Sequence, residues 1–198
     1  MSTLPKSFIT PEQYLEIDRR AERKSEYFDG EVFAMAGAPE AHNRIVWNVI
    51  TRLGQQLAGR PCQGYPSDLR VRISATGQYV YPDVTVVCGE PQFLDERRDT
   101  LLNPTLIVEV LSPSTASFDR GFKFDHYIAL DSLREYVLVA SDRMSIEVFS
   151  RQPDGRWLLA KAIGADDTVE LESIGCRFML ADVYDRVDFP PTGAEARA

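Results

Sequence analysis

The stretch Leu106-Ile107-Val108-Glu109-Val110-Leu111 sets a carboxylate in the middle of an apolar run, and few folds can accommodate that. Pro104 bounds the run on one side and Ser112-Pro113-Ser114 on the other. A run this short, rich in Val and Ile and flanked by Pro and Ser, predicts a buried strand rather than a helix. Strand alternation puts Leu106, Val108 and Val110 on one face, and Ile107, Glu109 and Leu111 on the other. An ionised Glu on a buried strand is costly unless it is paired, neutralised or holding a metal. Other groups must therefore meet Glu109.

The elements around this strand predict a mixed α/β (α+β) chain. Thr10-Pro11-Glu12-Gln13 has the spacing of a capping box that opens a helix. Tyr27 to Met35 reads as two short strands around Asp29-Gly30, a strong hairpin signal. From Glu40 to Leu57, Ile45, Val46, Val49, Ile50, Leu53 and Leu57 recur at helical spacing, and Gly59 is placed to end the helix. Leu69, Val71 and Ile73 alternate with Arg70, Arg72 and Ser74, predicting a strand with one polar face. Tyr79 to Val87 reads as a further strand containing Pro82, which cannot donate to a sheet ladder. Gly89 to Asn103 reads as a polar surface excursion and Asp119 to Leu130 as a helix. Tyr136 to Ala140, Ser145 to Ser150, Trp157 to Ala162 and Thr168 to Leu171 read as strands, and Ala181 to Val187 as a closing helix. The 198 residues are expected to form one domain with a core over about 10–188 and a loose tail over 189–198.

A hydrophobic share of 44% and a charged share of 26% match an ordinary globular protein. No apolar run approaches a membrane span, and Met1 to Thr10 has no signal-like apolar core, so no membrane partner and a cytoplasmic location are expected. Cys62, Cys88 and Cys176 are odd in number and widely spaced, which predicts free thiols in a reducing compartment. The net charge of −8 argues against generic electrostatic binding of nucleic acid. It leaves room for an enzyme that meets phosphates through bound divalent cations, which reverse the local sign.

Two residues are candidate partners of Glu109. Asp83 follows Pro82 at the start of the apolar run Val84-Thr85-Val86-Val87. If the two strands pair, Asp83 and Glu109 point into one pocket, and two carboxylates so close need a cation. Hard ions such as Mg²⁺ take carboxylate oxygens and keep places for water and phosphate. The plainer reading makes Asp83 a turn cap and Glu109 half of a buried salt bridge. Lys123 shares a helical face with Asp119 and Tyr127 at i, i+4 and i+8. It would either reach Glu109, to steady charge on a phosphoryl group, or form an exposed pair with Asp119.

These residues, in this order, resemble the Uma2 family of the PD-(D/E)XK nuclease superfamily. Pro82-Asp83, Glu109 in its apolar strand, Ser112-Pro113-Ser114 and the Asp119…Lys123…Tyr127 helix carry the resemblance. Asp29-Gly30-Glu31, Met35, His42 and Glu135-Tyr136 extend it over roughly residues 10–150. The resemblance implies a restriction endonuclease-like fold, a central mixed sheet flanked by helices, and an endonuclease that hydrolyses DNA phosphodiester bonds. It implies Mg²⁺ (or Mn²⁺) held by Asp83 and Glu109, with Asp83, Glu109 and Lys123 as the catalytic set. The chain departs from the superfamily pattern at Leu111, where a lysine is expected two residues after Glu109, and Lys123 is the natural substitute.

Three further residues are candidates. Glu31 would add a carboxylate to a metal site or remain a solvated hairpin charge. His42 would contact phosphate or a metal-bound water, or serve as a capping or core histidine. Asp119 joins them as the helical neighbour of Lys123, while His126 reads as structural. A homodimer suits an enzyme cutting two strands related by a two-fold axis. Two other function classes stay open: a catalytically inactive binding or assembly protein that keeps the nuclease fold, and a metal-free carboxylate-pair hydrolase.

Overall fold

A computed structural model describes residues 8–73, 75–112 and 115–189. Pro113, Ser114 and nearly all of the expected tail lie outside the described residues. In chain order the elements are α1 (Pro11–Asp18), β1 (Ser25–Phe28), β2 (Glu31–Ala34), α2 (Glu40–Leu57), β3 (Cys62–Pro66), β4 (Arg70–Ile73) and β5 (Gln78–Val80). There follow β6 (Val84–Cys88), β7 (Thr100–Leu101), β8 (Leu106–Leu111), α3 (Ala116–Phe118), a π-helical turn (Asp119–Lys123) and α4 (Phe124–Tyr127). The last are β9 (Glu135–Ala140), β10 (Ser145–Arg151), β11 (Trp157–Ile163), β12 (Thr168–Leu171), a 3-10 turn (Glu172–Ile174), β13 (Cys176–Met179) and α5 (Leu180–Val183).

Local chemistry explains the starts of these elements. The Thr10 side chain accepts from the Gln13 N–H, and the Gln13 side chain accepts from the Thr10 N–H, which closes the capping box of α1. The β1–β2 turn has positive φ at both Asp29 (46°) and Gly30 (87°), the two-residue hairpin geometry that suits strand twist. A Cβ at Gly30 would also stand 2.4 Å from the exposed Phe8 ring, which would have to move aside.

The strand that carries Glu109, β8, lies inside a six-stranded sheet of order β11-β10-β9-β8-β6-β3. It runs parallel to β9, with Glu109 opposite Leu138, and antiparallel to β6, with Val84 opposite Val108. Having neighbours on both sides and layers on both faces, all six residues of β8 are buried. Leu106, Val108 and Val110 pack beneath Ile45, Val49, Leu53 and Leu57 of α2. Each of these side chains gains about 1.5–3 kcal/mol by leaving water. Ile107 and Leu111 face the opposite layer, with Tyr127, Tyr136 and Leu138 and with Phe28, Val71, Ile73 and Val80 of a second sheet. That five-stranded sheet has the order β2-β1-β5-β4-β7. Glu109 thus points into the layer between the two sheets, on the face that alternation assigns.

Several expectations need correction. The run from Tyr79 to Val87 is not one strand: β5 belongs to the smaller sheet and β6 to the larger. Pro82 marks the crossing, where a missing N–H costs the ladder nothing. Arg70 does not face solvent but is 4% exposed and bound to Asp18. The expected excursion over 89–103 contains β7, whose Thr100 and Leu101 are wholly buried. The helix runs from Ala116 to Tyr127 rather than 119–130 and has a π-helical centre. The expected free thiols are corrected most sharply. An edge strand unseen in the sequence, β3, pairs with β6 so that Cys62 stands opposite Cys88, and the two form a disulfide. Cys176 is free and buried. No helix among the described residues is long and apolar enough to cross a membrane.

Candidate active site

Lys123 is the hub of the layer between the sheets. Its ammonium donates to Glu26 Oε1 at 3.0 Å and to Glu109 Oε1 at 3.2 Å, and stands 3.5 Å from Asp119 Oδ1. All four side chains are under a tenth exposed. The expected alternative of an exposed Asp119–Lys123 pair is therefore corrected. The helix is flanked by both sheets, and the π-helical turn aims Asp119 and Lys123 inward together. Such turns are rare and recur at functional sites.

The remaining contacts fix the carboxylates. The Tyr127 hydroxyl donates to Glu109 Oε1 at 2.8 Å. The Tyr81 N–H donates to Glu26 Oε1 at 3.1 Å, so one carboxylate oxygen grips both the lysine and the backbone two residues before Asp83. Asp83 sits just before β6, level with Glu109 in the antiparallel register. Its Oδ2 accepts the Val110 N–H at 2.7 Å, and its Oδ1 lies 3.2 Å from His42 Nε2. The Tyr136 hydroxyl donates to the Asp119 carbonyl at 3.1 Å and anchors the π-helical turn to β9.

Three carboxylates, those of Glu26, Glu109 and Asp119, thus converge on one ammonium, and the charge of a fourth, Asp83, bears on Glu109. Burial pulls the Lys123 ammonium toward losing its proton, but the charges of Glu109, Glu26 and Asp119 outweigh it and hold the proton well above the usual lysine range. Lys123 is therefore a fixed positive charge and not a base. Burial pushes the Glu109 carboxyl up, to about 8; Lys123 opposes that, while Asp119, Asp83 and Glu26 reinforce it. A carboxylate cluster with more negative charge than one lysine can balance favours a proton or a cation at Glu109. Burial raises the Tyr127 hydroxyl further, and the charge of Glu109 adds to it, so Tyr127 remains a donor. Burial lowers the His42 imidazole, but its hydrogen bond to Asp83 and the charge of that residue prevail and raise it.

The Uma2 family profile, described as "Putative restriction endonuclease", matches residues 11–181. The chain belongs to the Uma2 family. Two Synechocystis proteins named as uncharacterized resemble this Uma2 chain. One is 38% identical over 183 residues, covering 91% of this chain and 94% of its own. The other is 36% identical over 162 residues, covering 82% and 92%. A crystal structure from Anabaena variabilis, described as a "putative nuclease belonging to DUF820", superposes with a TM-score of 0.72 at 16% identity, covering 89% of this chain and 97% of that one. The Uma2 chain therefore has the restriction endonuclease-like fold, with a mixed central sheet and flanking helices.

Of the residues singled out in the sequence, Asp83, Glu109, Lys123, Asp119 and His42 are brought together. Glu31 begins β2 opposite Phe28, half-buried in the hairpin. The groups whose charges bear most on Glu109 are Lys123, Asp119, Asp83 and Glu26. Glu26 was missed because it ends the charged stretch from Asp18 and looks like surface. The signal was available: a two-residue turn at Asp29-Gly30 fixes the strand register, and alternation then sets Glu26 on the same face as the aromatic Phe28.

Proposed function

We propose that this Uma2 protein is a Mg²⁺- (or Mn²⁺-) dependent endonuclease that hydrolyses DNA phosphodiester bonds at the Asp83–Glu109–Lys123 centre. The observation that carries the reading is the surplus of carboxylates around one buried lysine, with Asp83 and Glu109 level on adjacent strands. The donor set fits a hard cation. Among the described residues no group of three or more His, Cys, Asp or Glu is placed to hold a metal alone. Two carboxylates with water and phosphate oxygens completing the shell is the usual Mg²⁺ arrangement. Asp83 and Glu109 would hold the ion, which would supply an activated water and neutralise the scissile phosphate.

The protein's own groups have distinct tasks. Tyr127 orients Glu109 by donating to Oε1. His42 and the Val110 N–H hold the two oxygens of Asp83. Lys123 keeps its proton and stabilises the charge that develops on the phosphoryl group. Glu26 is a positioning residue: it holds the ammonium in place and ties it to the loop that delivers Asp83. The lysine absent at Leu111 is thus supplied from the helix, and Leu111 itself packs in the apolar layer.

Nicking of supercoiled plasmid in Mg²⁺ and Mn²⁺ tests the reading. Wild-type protein is expected to nick, and Asp83→Ala and Glu109→Ala to abolish nicking. Wild type inert in both metals on the plasmid and on single-stranded circular DNA alike, or variants that cut equally well, would refute it. Leu111 and the net charge of −8 favour a second reading, an inactive binding protein that keeps the fold. Saturable Mn²⁺ binding that is lost in Glu109→Gln decides against it.

A further inference from the structure

Beside the acidic centre lies an aromatic cluster that the proposed chemistry leaves unused. Phe118, Phe122 and His126 repeat at i, i+4 and i+8, so they form a second stripe on the helix next to Asp119, Lys123 and Tyr127. Their rings run as a column: Phe118 stacks on Phe122 at 4.9 Å, and Phe122 meets His126 at 4.4 Å. The buried Phe28 of β1 is the floor, with its edges or face against Phe118, Phe122, His126 and Phe33 at 5.2 to 6.0 Å. Phe122 and Phe33 remain 38% and 44% exposed.

We infer that this cluster is a stacking platform for an unpaired nucleobase, and that the substrate of the adjacent centre is single-stranded DNA. The inference rests on the nuclease reading above. Two features argue for a base. The first is continuity: Phe28 and Glu26 share one face of β1, two residues or about 6.6 Å apart, so the column begins one step from the carboxylate that grips Lys123. The second is charge. Arg120, between Phe118 and Phe122, is already bound to Glu147 at 2.8 Å, and a chain of charge −8 has little general grip on phosphates. Affinity for a strand must then come from base faces, which stack on aromatic side chains whatever their sequence. In a duplex those faces are covered by neighbouring pairs. A second copy of this chain fits the site less well, since it would close off the acidic centre.

Anisotropy of a labelled oligothymidylate, measured in EDTA so that nothing is cut, tests this. Wild type is expected to bind the oligothymidylate more tightly than an abasic strand or a duplex of equal length. Phe122→Ala and Phe33→Ala are each expected to weaken binding by about 5- to 150-fold, the range for one stacked base, and Phe122→Trp to retain it. Both residues are partly exposed, and a melting curve confirms folding. Equal affinity for the abasic strand, or wild-type affinity in both folded Ala variants, overturns the platform. So does a wild-type dimer that Phe122→Ala dissociates without changing oligonucleotide affinity. Wild type that binds thymidylate through Phe122 yet cuts nothing overturns the nuclease reading alone. Wild type that cuts, beside Ala variants that bind and cut single strands equally well, overturns the platform alone.

Discussion

Replacing Lys123 with Met keeps an unbranched stem of similar length and removes the ammonium that contacts Glu26, Glu109 and Asp119. Three carboxylates, each under a tenth exposed, then face one another without their common partner. Removing one member of a buried charge pair costs about 3–5 kcal/mol, because the remaining charge is left desolvated and uncompensated. For a chain of this size each kcal/mol lowers the melting temperature by about 2–4 °C, so Lys123→Met is expected to melt roughly 6–20 °C below wild type in EDTA. Adding Glu26→Gln to Lys123→Met removes one of the stranded charges and should recover about 0.5–3 kcal/mol, a coupling energy of the usual size for contacting groups. Urea denaturation of wild type, both single variants and the double variant gives the cycle. A loss below about 1 kcal/mol for Lys123→Met, or a double variant no more stable than Lys123→Met, would refute the view that this lysine compensates buried charge.

A second buried network predicts a pH dependence. Asp18 accepts from the Tyr81 hydroxyl, from Arg70 and from both the N–H and hydroxyl of Ser25. Burial pushes its carboxyl up, but the hydrogen bonds from Tyr81, Arg70 and Ser25 prevail and hold it below the usual range. A depressed carboxyl contributes stability above its unfolded value of about 3.9 and loses it as pH falls through the folded value. Asp18→Asn should therefore melt well below wild type at pH 7 and approach it near pH 3; an equal gap at both pH values would argue against the assignment. The Cys62–Cys88 disulfide closes a segment with a sequence separation of 26. By loop entropy this is worth about 3–4 kcal/mol. Dithiothreitol or Cys62→Ser with Cys88→Ser should lower the melting temperature by roughly 6–16 °C, and an unchanged melting curve would show that the bridge does not constrain the unfolded chain.

Much of the site could be read from local pattern. A single charge in the Leu106–Leu111 run had to be buried, since strand alternation and β-branched content leave that segment no exposed face. Pro82 and Asp83 announced a disturbed strand start, and the i, i+4 spacing paired Asp119 with Lys123. The Asp29-Gly30 turn and the apolar stripe of α2 were equally legible, because turns and helices are set by neighbours a few residues apart. Those features determine which residues carry charge, which faces are apolar and where the chain turns.

Tertiary structure decided the rest, because it depended on contacts distant in sequence. Lys123 is buried only because two sheets close over the helix, which turns a surface ion pair into the hub of three carboxylates. Glu26 lies 97 positions from Lys123 and reaches it through the packing of β1 against the π-helical turn. Cys62 meets Cys88 only because an edge strand with little apolar content finds β6. The run containing Pro82 looked continuous in sequence, yet it divides between sheets, and that division delivers Asp83 beside Glu109. Local pattern specified a carboxylate that could not stay alone, and long-range pairing chose its company.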